Sequence, residues 1–130
     1  MDWVARARAL VGTRFRPQGR SDAGLDCVGL MVAAYALPPG AVPGDYRLAG
    51  AHGAAILAGA TRYFRRVARS QARPGDALLF LIDGRQSHLA VKTERGFVHA
   101  HAGLRRVVET PGAADWPLVA VLRRRRKAKD

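Results

Sequence analysis

Five short β-prone runs follow one another in the second half of the chain: ALLFLI (77–82), SHLAVK (87–92), FVHAHA (97–102), LRRVVE (104–109) and LVAVL (118–122). Turn signals separate them at Pro74-Gly75-Asp76, Asp83-Gly84, Gly96 and Pro111-Gly112. The first half has helical spacing instead. Asp2 is placed to cap a helix carrying Trp3, Val4, Ala7, Leu10 and Val11, with Gly12 as its stop. Asp26 suits the N-cap of a second helix from Cys27 to about Ala36, with Leu30, Met31, Ala34 and Tyr35 for burial and Pro38-Pro39 to end it. A third helix is expected over Ala54 to about Tyr63. Helices followed by consecutive short strands predict an α+β domain with an antiparallel sheet. At 130 residues and 48% hydrophobic, the chain suffices for one domain without a disulfide or metal staple.

The net charge is +12, from nineteen arginines against three lysines, which favours anionic partners such as acidic peptides, lipids or nucleic acid. The only true cluster is RRRRKAKD, Arg123 to Asp130. It reads as a basic, flexible tail (123–130) after a domain of residues 1–122. No aromatic residue is interleaved in it to stack on bases, so no nucleic-acid partner is expected. The N-terminus lacks a basic cluster leading into an apolar core, and no run of about eighteen apolar residues occurs. The expectation is a chain that is neither signal-directed nor membrane-spanning.

Cys27 is the only cysteine. In isolation a lone cysteine reads as buried packing. At the first turn of a helix capped by Asp26, however, it meets unpaired backbone N–H groups and the positive dipole end, which favour the thiolate. A thiolate nucleophile needs a base, and the base an orienting group. With Thr93 to Gly96 as a hairpin loop, Lys92 pairs with Phe97 and Ala90 with His99. His88, His99 and His101 then share one sheet face, His88 opposite His101 and His99 diagonal to His88. Cys27 with these three histidines also matches zinc-ligand chemistry, but the absence of a second cysteine or a further close ligand pair weighs against a metal. His52 reads as a surface residue, and Asp76 as a turn cap.

LDCVGL before a helix, then RPGDALLF, SHLAV and GFVHA, in that order, resemble the NlpC/P60 cysteine peptidases, and among them the short phage and gene-transfer-agent cell-wall peptidase branch. The resemblance runs from about Val11 to Leu122. It implies a papain-like α+β fold with the nucleophile helix packed on the sheet, and hydrolysis of peptidoglycan stem peptides, commonly between D-Glu and diaminopimelate. It also implies Cys27 as nucleophile, His88 as base and His99 as the residue orienting His88, with no cofactor. Asp26, Phe15, Val28 and His101 are the expected substrate-binding positions. Phe15 stands where the family usually has tyrosine and Val28 where it usually has serine; His101 is an alternative orienter, a substrate contact or polar surface. Delivery to the periplasmic wall would be by a particle tail, with tail-hub or tail-tip proteins as partners. The alternatives are a catalytically weak structural tail-tip protein and a cytoplasmic peptidase of recycled wall peptides.

Overall fold

The apolar spacing yields helices and strands close to where it places them. The structure, a computed structural model, describes residues 2–21, 23–38, 41, 53–84 and 86–126, with the side chains of 53–56 excepted. In chain order the elements are α1 (Trp3–Ala9), β1 (Arg20–Ser21), β2 (Gly24–Leu25), α2 (Cys27–Ala34), α3 (Gly53–Ala60), β3 (Phe64–Val67), a 3-10 turn (Arg69–Gln71), β4 (Ala77–Ile82), β5 (Gln86–Lys92), β6 (Gly96–His101), β7 (Arg106–Pro111) and β8 (Leu118–Arg124). One antiparallel sheet has the order β3-β8-β4-β5-β6-β7, and β1 and β2 form a separate two-stranded ribbon. The α+β class and the five expected strands are present. β7 starts two residues later than LRRVVE implied, because Arg105 is left-handed (φ 59) in a turn closed by its N–H to the Ala102 carbonyl. His52, Pro39 and residues 127–130 lie outside the described residues.

α2 has no polar face. Cys27, Val28, Gly29, Leu30, Met31 and Ala34 are all buried, and they share one core with Leu89, Val91, Val98, Ala100, Val107, Ala120 and Leu122 from the sheet. Each large apolar side chain so buried contributes about 1.5–3 kcal/mol. Because strand side chains alternate, the intervening residues Leu78, Phe80, Ala90, Phe97 and Val121 build a second cluster on the opposite face, under Trp116. Tyr35, fully buried, closes the far end of α2: its hydroxyl donates to the Gly75 carbonyl at 2.9 Å, and its ring meets Trp3 and Phe64 with centroids 5.6 and 5.0 Å away.

Buried helix ends need partners for their free N–H and C=O groups. At the start of α2, Asp26 Oδ1 accepts from the Gly29 N–H at 2.8 Å. At its end Arg6 donates to the Ala33 and Ala34 carbonyls, both at 2.9 Å, and Arg124 donates to the Tyr35 carbonyl at 3.1 Å. The preceding loop packs so tightly on the first turn that a Cβ on Gly29 would lie 2.0 Å from the Gly19 carbonyl oxygen. Only glycine fits there.

The expected tail begins later than position 123. Arg123 and Arg124 are the last residues of β8, paired with Arg65 and Phe64 of the edge strand β3, on which Arg65 and Arg66 are exposed. A run of four arginines reads as solvated, yet the strand alternation gives the first two fixed partners. Arg123 forms a two-pronged pair with Asp76, Nε to Oδ1 and Nη2 to Oδ2 both at 2.8 Å, and Asp76 also accepts from the Arg73 N–H at 2.9 Å. Asp76 is thus a turn cap, as expected, and an ion-pair partner too. On the other side of the fold Arg8 of α1 makes the same two-pronged pair with Glu109 of β7, at 2.9 and 2.8 Å, and Thr93 adds a hydroxyl donor at 2.8 Å.

Removing one partner from a buried pair strands the other. Arg123→Ala should therefore destabilise the protein by about 3 kcal/mol in urea unfolding, and a change under about 0.5 kcal/mol would identify the pair as a surface contact. Glu109 is held down at about 2 by its hydrogen bonds from Arg8. A depressed carboxylate stabilises fully above its unfolded value and loses that contribution as pH falls through the folded one. The stability gap between the wild type and Glu109→Gln should thus be full above pH 4.5 and vanish towards pH 2.

Candidate active site

Cys27 opens α2 and is 1% exposed. What it meets is set by where the β5–β6 ladder stops. The pairs Lys92↔Phe97, Val91↔Val98 and Ala90↔His99 are in the expected register, and the ladder ends there. Beyond it the backbone N–H groups of Leu89, Val28 and Cys27 itself favour the charged form of the thiol. Burial nonetheless pushes the thiol up to about 12, and the adjacent Asp26 carboxylate adds to the rise. Burial thus works against the thiolate expected at the helix start, while the N–H groups there favour it.

His88, one residue before Leu89, lies on the other face of β5, opposite Phe80 of β4. Its Nε2 is 2.9 Å from Nδ1 of His99, with the rings edge to face at 82°. The diagonal pairing expected from strand alternation is present; the direct His88–His101 pair is not part of the ladder. Beyond His99, its Nε2 lies 2.9 Å from the Thr110 hydroxyl. Trp116 covers the pair edge-on, its ring centroids 5.2 Å from His88 and 5.9 Å from His99. Burial lowers His88 to about 4, with His101 adding to the fall; burial, then His88 and His101, lower His99 to about 3. Both rings are therefore neutral at pH 7.

The remaining expected residues divide. Asp26 is buried, and besides capping α2 its Oδ2 accepts from the Gln18 N–H at 2.8 Å while Arg20 approaches at 3.5 Å. Its carboxylate fastens the 16–20 loop to the helix. Val28 is buried in the core cluster. Phe15 is half-buried against that cluster, bridging Leu25 and donating its N–H to the Arg105 carbonyl at 2.9 Å. His101 is half-exposed with its centroid 5.4 Å from His99, and its Nδ1 accepts from the Leu104 N–H at 3.1 Å, so it caps the β6–β7 turn. Thr110 and Trp116 were not anticipated. Among the described residues no group of three His, Cys, Asp or Glu side chains is arranged to hold a metal ion.

The site thus combines a neutral thiol with a neutral imidazole whose Nε2 is committed to His99, leaving Nδ1 as its open nitrogen. Among the described residues no hydrogen bond joins the sulfur to the His88 ring. Burial on both sides disfavours a standing thiolate–imidazolium pair. Iodoacetamide should therefore alkylate Cys27 at pH 7 at least about a hundredfold more slowly than a free cysteine, with a rate that rises steadily into alkaline pH. Rapid alkylation below pH 6 would show a thiolate that this geometry does not stabilise.

The family model for the NlpC/P60 family matches residues 12–117. Among solved structures, the NlpC/p60 domain of the peptidoglycan hydrolase SagA is similar over 85% of this chain and 86% of that one, with a TM-score of 0.60 and 23% identity. RipD from Mycobacterium tuberculosis, described as a non-catalytic NlpC/p60 domain protein adapted to peptidoglycan binding, covers 95% and 94% with a TM-score of 0.59 and 20% identity. The P60 domain of an antigen from M. avium subspecies paratuberculosis covers 95% and 91% with a TM-score of 0.62 and 19% identity. No curated protein matches the chain. The helix that carries Cys27, the strands that carry His88 and His99, and the loop that carries Trp116 all fall within the matched span, and the chain belongs to the NlpC/P60 family.

Proposed function

We propose that the chain is a cysteine endopeptidase that cuts peptidoglycan stem peptides, between D-Glu and diaminopimelate, with Cys27 as nucleophile, His88 as base and His99 as its orienting residue. The observation that carries this reading is the His88–His99 hydrogen bond on the strand whose next residue, Leu89, shares a core cluster with Cys27. In the reaction Cys27 Sγ attacks the amide carbonyl carbon as its proton passes to His88 Nδ1. The oxyanion faces backbone N–H groups at the start of α2. His88 then protonates the leaving amine, and the C–N bond breaks to leave a thioester. Water, deprotonated by His88, releases the acid and restores the thiol. An acidic substrate is supported by Arg14, Arg16, Arg105 and Arg106, all exposed on the two segments that meet at the Arg14↔Arg106 bridge beside Phe15. Sequence resemblance supports delivery in the tail of a phage-like or gene-transfer-agent particle.

A second reading is a peptidoglycan-binding domain without activity. The buried, neutral thiol favours it, and so does the likeness to RipD, which is described in those terms. Digestion of purified sacculi by the wild type and by Cys27→Ala, with mass analysis of the soluble fragments, separates the two. Fragments ending at D-Glu from the wild type alone support the peptidase. Retention of both proteins on sacculi with no fragments supports the binder.

A further inference from the structure

Three neighbouring strands each contribute one polar side chain to a single line across the sheet. His88 is on β5, His99 on β6 and Thr110 on β7, where Thr110 is opposite Phe97 and so diagonal to His99. Both links are 2.9 Å. The ring atoms in them are specific: Nε2 of His88 to Nδ1 of His99, and Nε2 of His99 to Oγ1 of Thr110.

A neutral imidazole has one N–H and one bare nitrogen, so the two rings cannot choose their tautomers separately. Either His88 carries its proton on Nε2 and His99 on Nε2, with Thr110 accepting, or Thr110 donates, His99 is protonated on Nδ1 and His88 on Nδ1. Only the first arrangement leaves His88 Nδ1 bare. It is also the only one that survives proton uptake at Nδ1, because the imidazolium must still donate from Nε2 to a bare His99 Nδ1.

We propose that Thr110 is a positioning residue that sets the tautomer of His88 through His99, by accepting the His99 Nε2–H. This rests on the reading of His88 as the base. Thr110 touches no reacting atom. Its role differs from that of His99, since a ring can be held in orientation and still carry its proton on the wrong nitrogen. Trp116 adds to the effect by covering both rings, which limits water as a substitute acceptor.

The test is the protonation of the two rings, read at pH 7 from imidazole nitrogen chemical shifts in the full chain labelled with ¹⁵N-histidine. The wild type should show Nε2–H on both His88 and His99. Thr110→Ser keeps the acceptor and should keep this pattern. Thr110→Val leaves the His99 N–H facing a methyl group, and a buried donor without an acceptor is tolerated less well than a bare acceptor. His88 should then become protonated on Nδ1 in at least about half the molecules. A wild-type His88 already protonated on Nδ1, or unchanged tautomers in a folded Thr110→Val, would overturn the proposal. The wild-type spectrum decides even where the valine variant does not fold. On muropeptides, Thr110→Val should lose at least about tenfold in kcat/KM and Thr110→Ser no more than about threefold. Should wild type and Cys27→Ala prove equally inactive, the peptidase reading fails, while the nitrogen shifts still decide the role of Thr110.

Discussion

A helix of eight residues with no charged side chain has no polar face for water, and much of the molecule follows from burying α2, of which only Val32 and Ala33 are partly exposed. Burial that complete strands the helix's terminal N–H and C=O groups. Each end is answered by a side chain from elsewhere in sequence or just outside the helix: Asp26 at the start, Arg6 of α1 and Arg124 of β8 at the end. The C-terminal donors also complement the negative end of the helix dipole. Part of the positive charge that looks like a signal for an external partner is thus committed within the fold, in Arg6 and Arg124 and likewise in Arg8 and Arg123.

The same burial sets the chemistry available at Cys27. A helix start in contact with water would favour a thiolate; one sealed beneath a sheet does not, and three backbone N–H donors do not reverse the cost of desolvation. The histidines respond to burial in the opposite direction, since an imidazolium is the charged form there. Thiol and imidazoles are therefore all held neutral by the same burial.

Much of this was legible in the sequence. Asp2 and Asp26 announced the helix starts, and the two-residue period with a four-residue loop at 93–96 fixed the register that brings His99 to His88. What was missed has physical causes. Thr110 fell outside the expected strand because the left-handed turn at Arg105 moves β7 two residues along. Trp116 sits in a loop that folds back over the sheet, and loops have no period to read. β3, FRRV, is short and basic, and the two-residue strands β1 and β2 carry no pattern at all. The burial of the thiol was not legible, because a helix start is a local feature, whereas burial depends on which strands cover it.

The placement of β3 has a consequence for how the protein behaves in company. An open antiparallel sheet ends in rows of unused hydrogen-bonding groups, a template on which another molecule can continue the ladder. Here one such border is four residues long and displays Arg65 and Arg66 to solvent. The opposite border, β7, is partly covered, since Val107 bonds through its N–H to the Thr13 carbonyl and through its carbonyl to the Gly12 N–H, and it ends in Pro111, which has no N–H to offer. Two copies approaching border to border would bring like charges together before any backbone bond could form. Charge at one rim and backbone cover at the other both oppose growth of the ladder into a fibre.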